Sequence, residues 1–133
     1  MRYCSDTWFI LHLFEKDPKA MHILEETKQG KTQIVIPIVV LAEATKKLLQ
    51  KGVPQTVIDL FFSAVEASDK VTLAIADKTI AQEAARVSLT YSVPLIDSFV
   101  AATARTYDCH VLLAKDDDYD LLTKKKYLKV QCW

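Results

Sequence analysis

The chain has 133 residues and a mass of 15.0 kDa, with 17 basic and 17 acidic residues and a formal charge of zero. That length fits one domain, residues 1–133, able to bury roughly two-thirds of the surface its unfolded form exposes. Half of the residues are hydrophobic and only two are glycine, which excludes disorder. Balanced charge offers no bulk attraction to a polyanion, so any nucleic acid must be met by a local patch or by bridging cations.

Arg2 to Ser5 reads as a short strand, and Asp6-Thr7 as its end followed by a helix cap. Residues 7–15 form a first predicted helix. Pro18, suited to a first turn, starts a second that runs to Lys28, with Gly30 ending it. Gln33 to Ile36 is a compact β-branched run that reads as a buried strand. Val39 to Lys51 has helical spacing; Gly52 stops it, and Pro54 begins the next helix, to about Ser68. Val71 to Ala74 is another strand. Asp77 caps a helix to about Tyr91, and Pro94 begins one through Tyr107. His110 to Ala114 is a strand, Asp116 to Lys125 a helix, and Leu128 to Cys132 a last strand.

Strands separated by helices imply an α/β fold: three layers, α/β/α, around a mainly parallel sheet of five strands. Two successive helices between strands leave the direction of the Val71–Ala74 strand open. Cys4, Cys109 and Cys132 are odd in number and lack C-x-x-C spacing, so they read as small buried apolar residues suited to a reducing cytoplasm. The apolar run Trp8 to Phe14 is too short to span a bilayer, so no membrane partner is expected.

The acidic residues gather where strands end. Asp6 follows the first strand, and Asp116 lies two residues past the His110–Ala114 strand. Glu43 falls in the first turns of the helix after Gln33–Ile36, and Asp97 in the first turn of the Pro94 helix. A parallel sheet would bring all four to its carboxyl edge, where open α/β folds bind ligands. Carboxylates so gathered repel unless a cation offsets them, and hard oxygen donors suit Mg²⁺ or Mn²⁺. With neither an activated Ser or Cys nor a phosphate-cradling Gly loop, the set points to metal-assisted phosphodiester hydrolysis. Each acid also has a plainer reading. Asp6 and Asp116 can be ordinary N-caps, while Glu43 and Asp97 can pair with Lys46 and Arg105.

Four segments carry a family resemblance. Pro94 to Ala104 (PLIDSFVAATA) and Leu112 to Tyr119 (LLAKDDDY) resemble the third and fourth acidic motifs of PIN-domain ribonucleases, notably VapC-type toxins. Ser5-Asp6-Thr7 and Pro37 to Glu43 resemble the first and second. Gaps of 37, 54 and 19 residues between the acids suit that family, and the resemblance spans residues 1–132. It implies a Mg²⁺- or Mn²⁺-dependent endoribonuclease acting on RNA, with Asp6, Asp97 and Asp116 as metal ligands. Glu43 would be a ligand or would orient the attacking water, and Asp118 would be a fifth acid. It also implies the toxin half of a toxin–antitoxin pair, an antitoxin protein as partner, and a homodimer. A PIN nuclease of RNA processing and a catalytically weak PIN-like binding module are the alternatives. One departure favours the latter: Ala114 stands where the family often carries Thr or Ser.

Lysines 46, 47 and 51, and 124, 125, 126 and 129, form two basic groups suited to RNA phosphates or to solvent alone. Val57, Ile58, Phe61, Phe62 and Val65 give the Pro54 helix a wide apolar surface, by default core but broad enough for an interface. His12, His22 and His110 have no ligand spacing.

Overall fold

A computed structural model of the chain describes the backbone of residues 1–133 and every side chain except that of Asp116. The elements run β1 (Arg2–Ser5), α1 (Thr7–Phe14), α2 (Pro18–Lys28), β2 (Gln33–Pro37), α3 (Ile38–Gln50), α4 (Gln55–Glu66), β3 (Val71–Ala74), α5 (Lys78–Tyr91) and α6 (Leu95–Thr106). They continue with β4 (Val111–Leu113), a 3₁₀ turn (Asp116–Tyr119), α7 (Asp120–Lys124) and β5 (Val130–Gln131). All four strand pairings are parallel, in the order β3-β2-β1-β4-β5. The open question about Val71–Ala74 is thereby answered: α3 and α4 together make one crossover, and the strand runs with its neighbours.

Right-handed crossovers place the helices of the outward path β1-β2-β3 on one face and those of the return path on the other. Three layers result. β2 and β4 are buried along nearly their whole lengths, as a doubly covered sheet requires. Phe9, Ile10 and Leu13 of α1, Val40, Ala44 and Leu48 of α3, and Val100, Ala101 and Ala104 of α6 close over Cys4, Ile34, Ile36, Leu112 and Leu113. A smaller cluster, Ile80, Ala84 and Ala102, joins α5 to α6. The alanines allow these helices to lie close together.

Two elements near the C-terminus depart from expectation. The helix foreseen over 116–125 is a 3₁₀ turn followed by five α-helical residues. Three consecutive aspartates are weak helix formers, and Tyr119 reaches back to Asp6, which holds the turn against the end of β1. The last strand shrinks to Val130–Gln131 because β4, its only partner, offers Leu112 and Leu113 for pairing. Cys132 therefore lies past the sheet and is exposed, contrary to expectation, whereas Cys4 is buried and Cys109 half-buried. Among the described residues, no single helix is long and apolar enough to cross a membrane.

The chain proceeds from β1 outward to β3, then returns to the other side of β1. Strand order thus reverses between β1 and β4, and the crevice beyond their carboxyl ends is the natural ligand position.

Candidate active site

Asp6 leaves the end of β1 directly at this crevice. Its backbone N–H donates to Leu113 O at 3.1 Å, fastening the ends of β1 and β4 together. Its Oδ1 accepts from the Thr7 N–H at 2.7 Å and so caps α1; its Oδ2 accepts from the Tyr119 hydroxyl at 3.0 Å. The cap and the site are therefore one residue, and the plain reading of Asp6 was true without being complete. The side chain is only 6% exposed. Burial pushes its carboxyl up to about 6, against the two hydrogen bonds, and Asp97 and Glu43 add repulsion.

Asp97 arrives from the first turn of α6, whose N-cap Pro94 provides no side-chain hydrogen bond. Its carboxyl is also pushed up to about 6, first by burial, then by Asp118 and Glu43, with Lys47 opposing. Glu43, half-buried on α3, lies 3.9 Å from Lys47 Nζ. That partner is Lys47 and not Lys46, because four residues bring side chains onto one helical face. Arg105 is no partner for Asp97: its guanidinium donates to Tyr127 O at 2.8 Å and stacks over the Tyr127 ring.

Asp6, Glu43, Asp97 and Asp118 line one cavity of about 420 Å³, together with Thr7, Trp8, Leu11, Lys47 and Lys115. Four of the five expected acids are thus brought together. The side chain of the fifth, Asp116, lies outside those described. Asp117 lines the adjoining groove with Tyr91, Leu121 and Asp120, which shares Asp97 and Asp118 with the cavity.

The donor chemistry fits a small divalent cation: several carboxylate groups share one cavity, and two of them are pushed up by burial and by their acidic neighbours. The Thr7 hydroxyl adds to this. It is buried and, among the described residues, has no hydrogen-bond partner, yet its residue lines the same cavity. Ala114, where a hydroxyl was missed in the sequence, is wholly buried, so Thr7 is the hydroxyl this cavity has. Among the described residues no three acidic, histidine or cysteine side chains converge closely enough to share one ion, as expected of like charges that repel.

Sequence reasoning overlooked Tyr119, Thr7, Lys115 and Trp8 as parts of the site. Tyr119 and Thr7 were visible inside the quoted motifs, but nothing in the sequence tells that a tyrosine 113 residues on would bond Asp6. Of the two lysine groups, only Lys47 reaches the cavity. Lys51 pairs with Glu15 and Lys124 with Asp120, while Lys126 and Lys129 line a separate pocket beside Arg105 and His110.

The sequence profile of the PIN domain matches residues 3–125. No curated protein sequence matches the chain. Among solved structures, VapBC2 from Rickettsia felis bound to a promoter DNA fragment aligns with TM-score 0.73 at 17% identity, covering 100% of this chain and 99% of that one. VapBC-1 from nontypeable Haemophilus influenzae gives 0.69 at 20% identity, covering 100% and 98%. A toxin–antitoxin complex from Klebsiella pneumoniae gives 0.66 at 19% identity, covering 88% and 89%. At such identities the likeness is one of fold, and with the profile match over most of the chain it agrees with the switch-point crevice described above. The chain belongs to the PIN-domain family of nucleases.

Proposed function

We propose that this chain is a Mg²⁺- or Mn²⁺-dependent endoribonuclease and the toxin member of a toxin–antitoxin pair. The observation that carries the activity is the gathering of Asp6, Glu43, Asp97 and Asp118 around one cavity, two of their carboxyls raised to about 6. Asp6 and Asp97 would hold the cation with Asp118, and the family resemblance adds Asp116. A divalent ion so held lowers the pKa of water and stabilises charge on phosphate oxygens.

The chain's own residues do the rest. The Thr7 N–H and the Tyr119 hydroxyl each hold one oxygen of Asp6 and so fix the orientation of its carboxylate. Glu43, half-buried at the rim beside Lys47, is placed to orient a water and accept its proton. Lys47 and Lys115 offer ammonium groups to the phosphate on either flank of the break. Substrate carrying its own negative charge is thereby drawn into a cavity that is otherwise acidic.

The test is cleavage of RNA with Mg²⁺ or Mn²⁺, comparing the parent with Asp6→Asn and Asp97→Asn. Each substitution should cost more than the roughly 10–100-fold lost when an outer-shell partner of a metal site is removed. Cleavage that survives EDTA, or is unchanged in both variants, would overturn the mechanism.

The toxin role and an antitoxin partner are supported by the kind of assembly named for the similar structures, while the homodimer rests on the family resemblance alone. Val57, on the broad apolar face of α4, and Leu60 remain exposed, as an interface there requires. A short neighbouring gene whose product co-purifies with the chain and suppresses its cleavage would establish the pair; light scattering of the purified chain measures the dimer.

A further inference from the structure

Helix α1 has two apolar stripes. Phe9, Ile10 and Leu13 are buried in the core, whereas Trp8 and Leu11, one turn apart, line the carboxylate cavity. An indole contributes nothing to holding a hard cation, and the half-buried Trp8 lines the cavity while it also packs against the core. It is also held still. The Trp8 ring lies 4.2 Å from the His12 ring and 4.9 Å from that of Trp133, which meets it edge-on. Trp133 is itself fixed by a 2.7 Å hydrogen bond from its indole N–H to Asp17 Oδ2, the same carboxylate oxygen that caps α2. A chain of contacts from the α2 cap through Trp133 thus braces a half-buried aromatic ring at the wall of the cavity.

We propose that Trp8 is a stacking platform for one unpaired base of the substrate, adjacent to the phosphate met by Lys47, Lys115 and the cation that the acids would hold. The platform restricts the substrate to single-stranded RNA. A base inside a duplex has both faces covered by its neighbours, while an unpaired base can lay one face on the indole. Stacking is tolerant of sequence, because every base has a π-face, so Trp8 sets strandedness and leaves base identity to other contacts. Bracing by His12 and Trp133 means that little side-chain freedom is lost when the base arrives.

This inference rests on the nuclease reading and deepens it, and the experiment separates the two. Binding is measured in the Asp97→Asn background with Mg²⁺ present, using a labelled single-stranded RNA and the same sequence in a blunt duplex. Trp8→Ala should weaken single-strand binding about tenfold, Trp8→Phe should retain most of it, and weak duplex binding should be unchanged by either. Single-stranded RNA should also quench the tryptophan fluorescence of the parent far more than that of Trp8→Phe, where Trp133 alone emits. Equal single-strand binding by Trp8→Ala and the parent, or an equal loss for both RNA forms, would overturn the platform. Cleavage by the chain with Trp8-independent binding refutes the platform alone; Trp8-dependent single-strand binding without any cleavage refutes the nuclease reading and retains the platform.

Discussion

Asp6 illustrates how one side chain is stabilised and destabilised at once. It receives two hydrogen bonds, yet its carboxyl rises to about 6 because burial and the neighbouring acids outweigh them. A carboxyl whose folded pKa exceeds its unfolded value contributes stability that is fully present below about pH 4. That contribution is lost as pH rises through about 6. In EDTA, denaturant unfolding should therefore show stability falling across this window. Asp6→Asn, which keeps an acceptor for Thr7 N–H, should remove much of the fall and stabilise the metal-free protein by roughly 2 kcal/mol at pH 7. Stability without function would be a direct sign that Asp6 is strained for use. Tyr119→Phe asks the complementary question. Losing the hydroxyl leaves Asp6 Oδ2 unheld and should weaken Mn²⁺ binding and cleavage about tenfold, measured by metal titration and initial rates. The gathering of Asp6, Glu43 and Asp97 was legible in the sequence because each acid interrupts apolar residues at a strand end or within the first two turns of a helix. Tyr119 stood in a quoted motif, but its role was not legible, since it depends on a contact with Asp6 113 positions away that no local pattern records.

At the scale of elements, periodicity and punctuation located nearly every helix and strand, with Pro18, Asp77 and Gly52 marking ends where they were expected. Legibility failed where tertiary contact overrode local preference: the 3₁₀ turn tied down by Tyr119, and β5, limited by its partner's length. The same C-terminal stretch is secured at its other end by α5. Glu83 pairs with Arg86 at 2.8 Å and accepts from the Tyr127 hydroxyl, and its carboxyl is held down to about 2, first by Arg86 and then by Tyr127. Here the sign is opposite to that of Asp6. The contribution is present above about pH 4 and is lost as pH falls towards 2. Because the pair is solvent-screened, Glu83→Gln should cost only about 1 kcal/mol at neutral pH in chemical denaturation. The difference from the parent should close progressively as unfolding is measured in more acidic buffer.

For the whole molecule, the order β3-β2-β1-β4-β5 is what brings scattered acids to one cavity. Each carboxylate belongs to a different segment, and the reversal between β1 and β4 brings the segments to one crevice. Binding a cation there couples the site to the stability of the entire fold. Mg²⁺ or Mn²⁺ at a hundredfold excess over its Kd should stabilise the protein by about 2.7 kcal/mol, seen as a rise in Tm. Asp97→Asn should show little of that rise. The α/β class and the parallel sheet were legible from alternation alone, whereas the direction of β3 was not, because two consecutive helices carry no sign of which way the chain returns.

The fastening of Asp6 to Leu113 and Tyr119 has a temporal consequence. These contacts join residues 107 and 113 positions apart, so Asp6 has no anchored geometry until residues 113 and 119 have been made. Parallel pairing between distant segments is also slow to form. During translation, then, the emerging polypeptide has its early acids but not the clasp that aims them.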